Sequence, residues 1–310
     1  MTAGPDPSPP PPTEERNPRT VHIDQLPTLE VLRLFNAEDA TVAGAVAAAL
    51  PRLAEAVDLA VAALTAGCRM HYFGAGTSGR IAVLDAAELR PTFGIAPGRV
   101  VAHLAGGAHA LTNPSEGAED DVDGGAAAGS AVEPGDVAVG VTASGRTPYV
   151  AGALRTARTR GAGTVLVSAN PRAPLADLAD VHVAVDTGPE AVTGSTRLKA
   201  GTAQKLVLNS LSTALMVRLG RTYSNLMTDM VASNEKLRVR QLRILEHASG
   251  ADPETCRTAL AAAGGDAKVA LVSLLARTHP QQARTALQSV DGLVNRAVLA
   301  LRDGDHASAC

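Results

Sequence analysis

Short unbroken apolar runs alternate, through the middle of the chain, with stretches whose apolar positions recur every three to four residues. The runs fall near residues 69–73, 99–104, 136–141, 164–168 and 181–185. They are continuous rather than alternating, the mark of strands covered on both faces. Between them, residues 79–90, a stretch around 116–123 and residues 148–160 read as helices. This alternation predicts an α/β fold: a doubly wound, parallel five-stranded sheet flanked by helices. Ahead of the sheet, residues 29–36 and 40–66 read as helices, the second with a break expected at Pro51. Behind it, residues 197–219 and 233–246 read as long helices. Beyond residue 250 the helical stretches shorten, interrupted at Gly264-Gly265, Pro280 and Asp291-Gly292. Gly250-Ala-Asp-Pro253 makes a joint, with glycine as a helix stop and proline allowed at a new start. The expected division is therefore a disordered Pro-rich tail (1–12), a ligand-binding α/β domain with N-terminal helices (13–249) and a small helical domain (250–310).

Composition narrows the partners. The 310 residues carry a formal net charge of −3, and only 2% are aromatic. Without a basic field or stacking platforms, nucleic acid is not expected as a partner. No apolar stretch reaches the roughly 18 to 20 residues of a membrane span. The first dozen residues lack the basic start and apolar core of a signal peptide. Cys68, Cys256 and Cys310 are scattered and odd in number, which fits reduced thiols in the cytoplasm. The histidines show no spacing suited to zinc, so no metal is expected.

Two of the strands run into turns suited to an anion: Gly74-Ala-Gly-Thr-Ser-Gly-Arg80 and Thr142-Ala-Ser-Gly-Arg-Thr147. Small residues let backbone approach a ligand, while hydroxyls and the free N–H groups of a helix start point at negative charge. The first turn also spells G-x-G-x-x-G. A dinucleotide site would need an acid at the end of the next strand, and that strand runs through His103-Leu104 into Ala105-Gly106-Gly107. No nicotinamide or flavin cofactor is expected. Two carboxyl groups are candidates for proton transfer. Glu88 lies in Leu84-Asp-Ala-Ala-Glu-Leu89, an apolar setting expected to raise its pKa, in a helix expected to stop before Pro91. Glu119 lies in an acidic cluster behind Ser115, where acids also serve simply to complement a helix start capped by that serine.

Phe73-Gly-Ala-Gly-Thr-Ser-Gly-Arg80, with Asp85-Ala-Ala-Glu88 and Pro91-Thr-Phe-Gly94 behind it, resembles the N-acetylmuramic acid 6-phosphate etherase family of sugar-isomerase-type (SIS) domains. Glu116-Gly-Ala-Glu-Asp120, Ala143-Ser-Gly-Arg-Thr-Pro-Tyr149, the run from Val192 to Lys205 and the run from Asn225 to Lys236 extend the likeness, as do Arg16-Asn17 and Asn36-Ala-Glu-Asp39. It covers roughly residues 13 to 300. Ala87 and Phe93 depart from it, standing where a serine and a tyrosine are frequent, and neither change removes a proton-transfer group.

The resemblance implies cleavage of the C3 lactyl ether of a 6-phosphorylated muramic acid, with no cofactor. Glu88 and Glu119 match the two catalytic positions, Glu88 as proton donor and Glu119 as its partner. Ser144, Gly145 and Thr147 are implied to hold the 6-phosphate, and Thr77 and Ser78 to approach the sugar. Arg146 either balances phosphate charge or is an exposed helix-start arginine. Ser195 completes the pocket; Lys199 does so too or forms an inter-helix ion pair. Two other readings of such a fold are a non-catalytic phosphosugar sensor and an aldose–ketose isomerase, and the Glu88–Glu119 pair and the run 193–205 argue against them. Ten helical residues separate Ser78 from Glu88, about 15 Å. That exceeds a hexose, so a homodimer with shared active sites is expected.

Overall fold

Met70–Gly74 (β1), Val100–Leu104 (β2), Val137–Thr142 (β3), Gly163–Ser168 (β4) and Val181–Ala184 (β5) form one parallel sheet in the order β2-β1-β3-β4-β5. The computed structural model describes residues 10–232 and 234–307. The expected tail as far as residue 9, the helix start at Ser233, and Cys310 lie outside them. Central β1 and β3 are buried along their whole length, whereas edge strand β5 alternates buried and half-buried residues. Unbroken apolar runs mark interior strands for this reason.

Thr28–Asp39 (α1) and Val42–Thr65 (α2) precede the sheet. α2 buries Val42, Val46, Ala49, Leu53, Val57, Ala60 and Leu64, a stripe at helical spacing, and faces β5, β1 and β3. The break expected at Pro51 does not occur. Pro51 is exposed, so its ring and its missing hydrogen bond fall on the solvent side. Gly76–Phe93 (α3) likewise continues through Pro91, and the chain turns instead at Gly94, where φ is +60° and the N–H closes on Arg90 O (2.9 Å). The helix around 116–123 is shorter than expected. A 3₁₀ turn, Ala118–Asp120, leads to Val122–Gly129 (α4), and the cap is Asp121, accepting from Gly124 N (2.8 Å), rather than Ser115. Pro148–Thr159 (α5) and Lys199–Arg218 (α6) follow at the expected places.

The remaining elements are a small hairpin, Thr222–Tyr223 (β6) with Leu226–Met227 (β7), and helices Glu235–Ser249 (α7), Pro253–Ala262 (α8), Ala267–Ala276 (α9), Pro280–Ser289 (α10) and Val294–Ala307 (α11). Gly250 ends α7 in the left-handed region and Asp252 caps α8 with Pro253 at its first position, as the joint predicts. Contacts divide the chain into two compact units. Of the described residues, one takes those up to Ala86 together with Gly98–Ser212; the other takes Ala87–Pro97 and those from Thr213 onward. The division at residue 250 thus differs, because Leu245 of α7 already shares a core with Cys256, Leu271 and Ala283. The tail is also shorter than expected: Pro11 is buried and Pro12–Glu14 forms a 3₁₀ turn. Among the described residues no single helix is long and apolar enough to cross a membrane.

Candidate active site

The strand order sets the two hydroxyl-rich turns side by side. β1 and β3 pair from Met70↔Val137 to Gly74↔Val141, so the turns that leave them open at one carboxyl edge. Their helices lie on opposite faces. Tyr72 reaches α3, its hydroxyl donating to Asp85 Oδ2 (3.0 Å), whereas Phe73 packs with Val150 and Leu154 of α5. This is the switch point of an open α/β sheet, where diverging connections leave a ligand crevice.

In the first turn, Thr77 and Ser78 sit at the start of α3, Thr77 half-buried and Ser78 buried, a position whose leading N–H groups suit an anion. Two of the glycines serve packing rather than a ligand: a Cβ on Gly74 would lie 2.8 Å from Gly79 N, and one on Gly79 would lie 2.5 Å from Gly74 O. Strand end and helix start touch backbone to backbone. Arg80, given no role by the sequence, clamps a neighbouring loop. Its Nε donates to Ala110 O (2.9 Å) and its Nη2 to Asn113 O (3.0 Å), just ahead of the acidic stretch that carries Glu119.

The second turn is held by its own hydroxyls. Gly145 N donates to Thr142 Oγ1 (3.2 Å), Arg146 N to Ser144 Oγ (3.2 Å), and Thr142 Oγ1 lies 2.7 Å from Thr147 Oγ1. Behind it, Asn170 Nδ2 donates to Ser144 O (2.9 Å). Arg146 is half-buried, not exposed. Gly145 has φ +71°, and a Cβ there would meet Ala173, at 2.9 Å from its Cα. Gly145→Ala is therefore expected to lose about 2–4 kcal/mol from left-handed strain and overpacking together. A urea titration checks this, with Ser144→Ala, which loses only the Arg146 N contact, expected to cost about 1 kcal/mol or less as the comparison.

Ser195 lies half-buried in the loop before α6. That loop is braced from the N-terminal segment, Gly194 N donating to Thr13 O (3.2 Å), and from Glu190, whose two carboxylate oxygens accept Lys199 N and Ala200 N (2.9 Å each). Glu190 is fully buried, and desolvation raises its pKa. Lys199 takes the second of its two readings. It is 1% exposed, and its Nζ donates to Glu38 Oε2 of α1 (2.7 Å). Arg19 and Asn17 donate to the same carboxylate, and the Arg19 hydrogen bond, helped by Lys199 and Asn17 against the cost of burial, holds the Glu38 pKa down to about 2. The ammonium is thus committed to an ion pair rather than lining a pocket. The strings Arg16-Asn17, Asn36–Asp39 and Val192–Lys205 meet in this one network, which no spacing within any of them reveals.

Both proton-transfer candidates are exposed, Glu88 on α3 and Glu119 in the 3₁₀ turn. The apolar setting expected for Glu88 is not observed. α3 turns Ala82, Asp85 and Leu89 inward, and the desolvated carboxyl is Asp85, 6% exposed, its pKa pushed up to about 6 by burial. The histidines near the strand ends do structural work: His71 Nε2 lies 3.2 Å from Asp136 Oδ2 and His71 Nδ1 3.0 Å from His103 Nε2, and burial lowers both pKa values. In the helical unit, Asp229 accepts from Arg221 (3.0 Å) and Lys268 (2.6 Å), fastening the stretch after β7 to α9.

Two family descriptions match the chain: the glucokinase regulatory protein N-terminal SIS domain over residues 52–158 and the SIS domain over residues 118–214. Among curated relatives, the N-acetylmuramic acid 6-phosphate etherase of Thermobifida fusca (strain YX) is 61% identical over 264 residues, 85% of this chain and 87% of that one. The proteins of the same name from Cutibacterium acnes and Pectobacterium atrosepticum are 53% and 51% identical, covering 92% and 93% of this chain and 95% of each relative.

Proposed function

We propose a mechanism for this chain on the premise that it belongs to the N-acetylmuramic acid 6-phosphate etherase family. It is a carbon–oxygen lyase that cleaves the C3 D-lactyl ether of N-acetylmuramic acid 6-phosphate, giving N-acetylglucosamine 6-phosphate and D-lactate. The observation that carries this is identity of 61% over 85% of the chain to a relative of that name. In the ring-opened sugar the C1 aldehyde acidifies the C2 proton. Glu119 removes that proton while Glu88 donates one to the departing lactate oxygen, leaving a C2–C3 double bond. Water then adds at C3, its proton passing to the Glu88 carboxylate, and C2 is reprotonated. Each proton transfer of this kind contributes about 10² to 10⁴ in rate.

The switch-point crevice supports the rest of the site. Ser144, Gly145, Arg146 and Thr147 hold the 6-phosphate; Thr77 and Ser78, in the first turn of α3, contact the sugar; Ser195 closes the pocket. Lys199 acts behind it, through Glu38. The unbroken run of α3 from Gly76 to Phe93 keeps Ser78 and Glu88 about 15 Å apart, which supports active sites shared within a homodimer. Cys68 and Cys256 are free thiols, which supports a cytoplasmic enzyme of amino-sugar recycling.

The test is product analysis with N-acetylmuramic acid 6-phosphate in isotopic water. Elimination and hydration place one solvent oxygen at C3 and one solvent hydrogen at C2 of the sugar, with none in the lactate oxygen that was the ether. Lactate carrying solvent oxygen there sinks this mechanism, and no lactate with tight sugar-phosphate binding makes the chain a sensor.

A further inference from the structure

The geometry points to Asp85 as a positioning residue for this reaction: by accepting from Tyr72 of β1 and Ser212 of α6, its carboxylate sets how α3 lies against the sheet. Among the described residues Asp85 is one of four buried acids, with Glu38, Asp136 and Glu190, and the mechanism gives it no part. Its Oδ2 accepts from Tyr72 Oη and its Oδ1 from Ser212 Oγ, each at 3.0 Å. Asn209 of α6, in the amide orientation that satisfies its neighbours, donates to Oδ1 (3.3 Å) and accepts from Lys205 Nζ (3.0 Å). The titratable groups facing Asp85 are thus Tyr72 and, one step removed, Lys205. Three elements meet at this one side chain. The helix it holds carries Thr77 and Ser78 two turns before it and Glu88 one turn after, so a rotation of α3 displaces them together.

Stability does not account for the residue. Burial raises the carboxyl to about 6 against an ordinary 3.8, only partly offset by Ser212 and Tyr72. Folding therefore favours the protonated form, and a penalty against the folded chain builds as pH rises from about 3.8 and is complete above about 6, where Asp85 is ionised in both states. An isosteric amide removes that penalty. What the amide cannot do is accept at both oxygens, because one becomes an NH₂ donor facing a hydroxyl. Below about pH 6 the wild-type carboxyl loses the same ability.

The inference rests on the etherase reading and is tested on the full chain, with wild type, Asp85→Asn, Tyr72→Phe and Glu88→Gln compared for kcat and KM of D-lactate release from pH 5 to 9, and for Tm at pH 7.5. Asp85→Asn is expected to lower kcat about 10- to 100-fold, since misplacement of about 1 Å is enough for such a loss. KM should move by less than about threefold, as for an interaction realised in the transition state. Its Tm should equal or exceed wild type, and the acid limb of kcat near pH 6 should disappear. Tyr72→Phe keeps the carboxylate but deletes a donor that lowers its pKa, so its acid limb should move to higher pH. Wild-type kcat and pH profile in Asp85→Asn, or a loss of activity matched by a fall in Tm, overturn the positioning role while lactate release stands. Absence of lactate from wild type overturns the etherase reading and this inference together.

Discussion

Glu88→Gln and Glu119→Gln are each expected to lower kcat for D-lactate release by several orders of magnitude with little change in Tm. Both side chains are exposed, and each substitution keeps the shape while removing the titrating oxygen. A general acid or base contributes about 10² to 10⁴, and each carboxyl acts in both the elimination and the hydration, so losses toward the upper end are expected. The double variant should be little worse than the weaker single one, because residues that act as a unit lose their effect together. A continuous assay for lactate, with thermal melts alongside, reads both quantities. Variants that keep more than about a tenth of wild-type kcat would remove the carboxyl pair from the mechanism. The shared-site reading adds a second outcome. Unfolding and refolding Glu88→Gln together with an inactive variant of the 142–147 turn should restore about a quarter of wild-type activity, because half the dimers are mixed and each then holds one intact site. A site built within one chain restores none.

Glu38→Gln is expected to destabilise the fold at pH 7 by about 3 kcal/mol. The carboxyl titrates at about 2 in the folded chain against an ordinary 4.5, and its side chain is 3% exposed, so solvent screens little of the difference. At about 1.4 kcal/mol per unit the linkage gives that figure. Removing one charge of a buried pair, which leaves the Lys199 ammonium without its counter-charge, gives about 3–5 kcal/mol. Because the folded pKa is depressed, the contribution is whole above the unfolded value and is lost as pH falls toward about 2. Urea titrations of wild type and Glu38→Gln should therefore differ widely at pH 7 and converge at low pH. Lys199→Met, which leaves Glu38 with Arg19 and Asn17, should cost less. A rise in KM for Lys199→Met without loss of stability would return Lys199 to the pocket.

The elements of the sheet were legible because each strand is an apolar run of fixed length between helices of a different period, and the turns because glycine and hydroxyls at a strand-to-helix junction have few other uses. The misjudged points share one cause. Pro51 and Pro91 stop an isolated helix, but on an exposed face or in a last turn the lost hydrogen bond is small beside the apolar stripe the helix buries. Glu88 stands among apolar neighbours in sequence, yet α3 presents it outward and Asp85 inward, because which face meets the sheet depends on partners far along the chain. Ser115 is a good cap residue, but Asp121 lies nearer the start of the packed helix α4.

By itself the sequence determined the fold class, the five strands, the anion-suited turns and the family, since all are recorded in local order: periodicity, glycine placement and contiguous motifs. The tertiary structure alone decided that the turns of β1 and β3 adjoin at the switch point, that Lys199 belongs to Glu38 161 residues away, and that Asp85 holds the buried carboxyl of α3. Strand order and long-range polar pairing depend on which surfaces exclude water together, and no local pattern in the chain carries that.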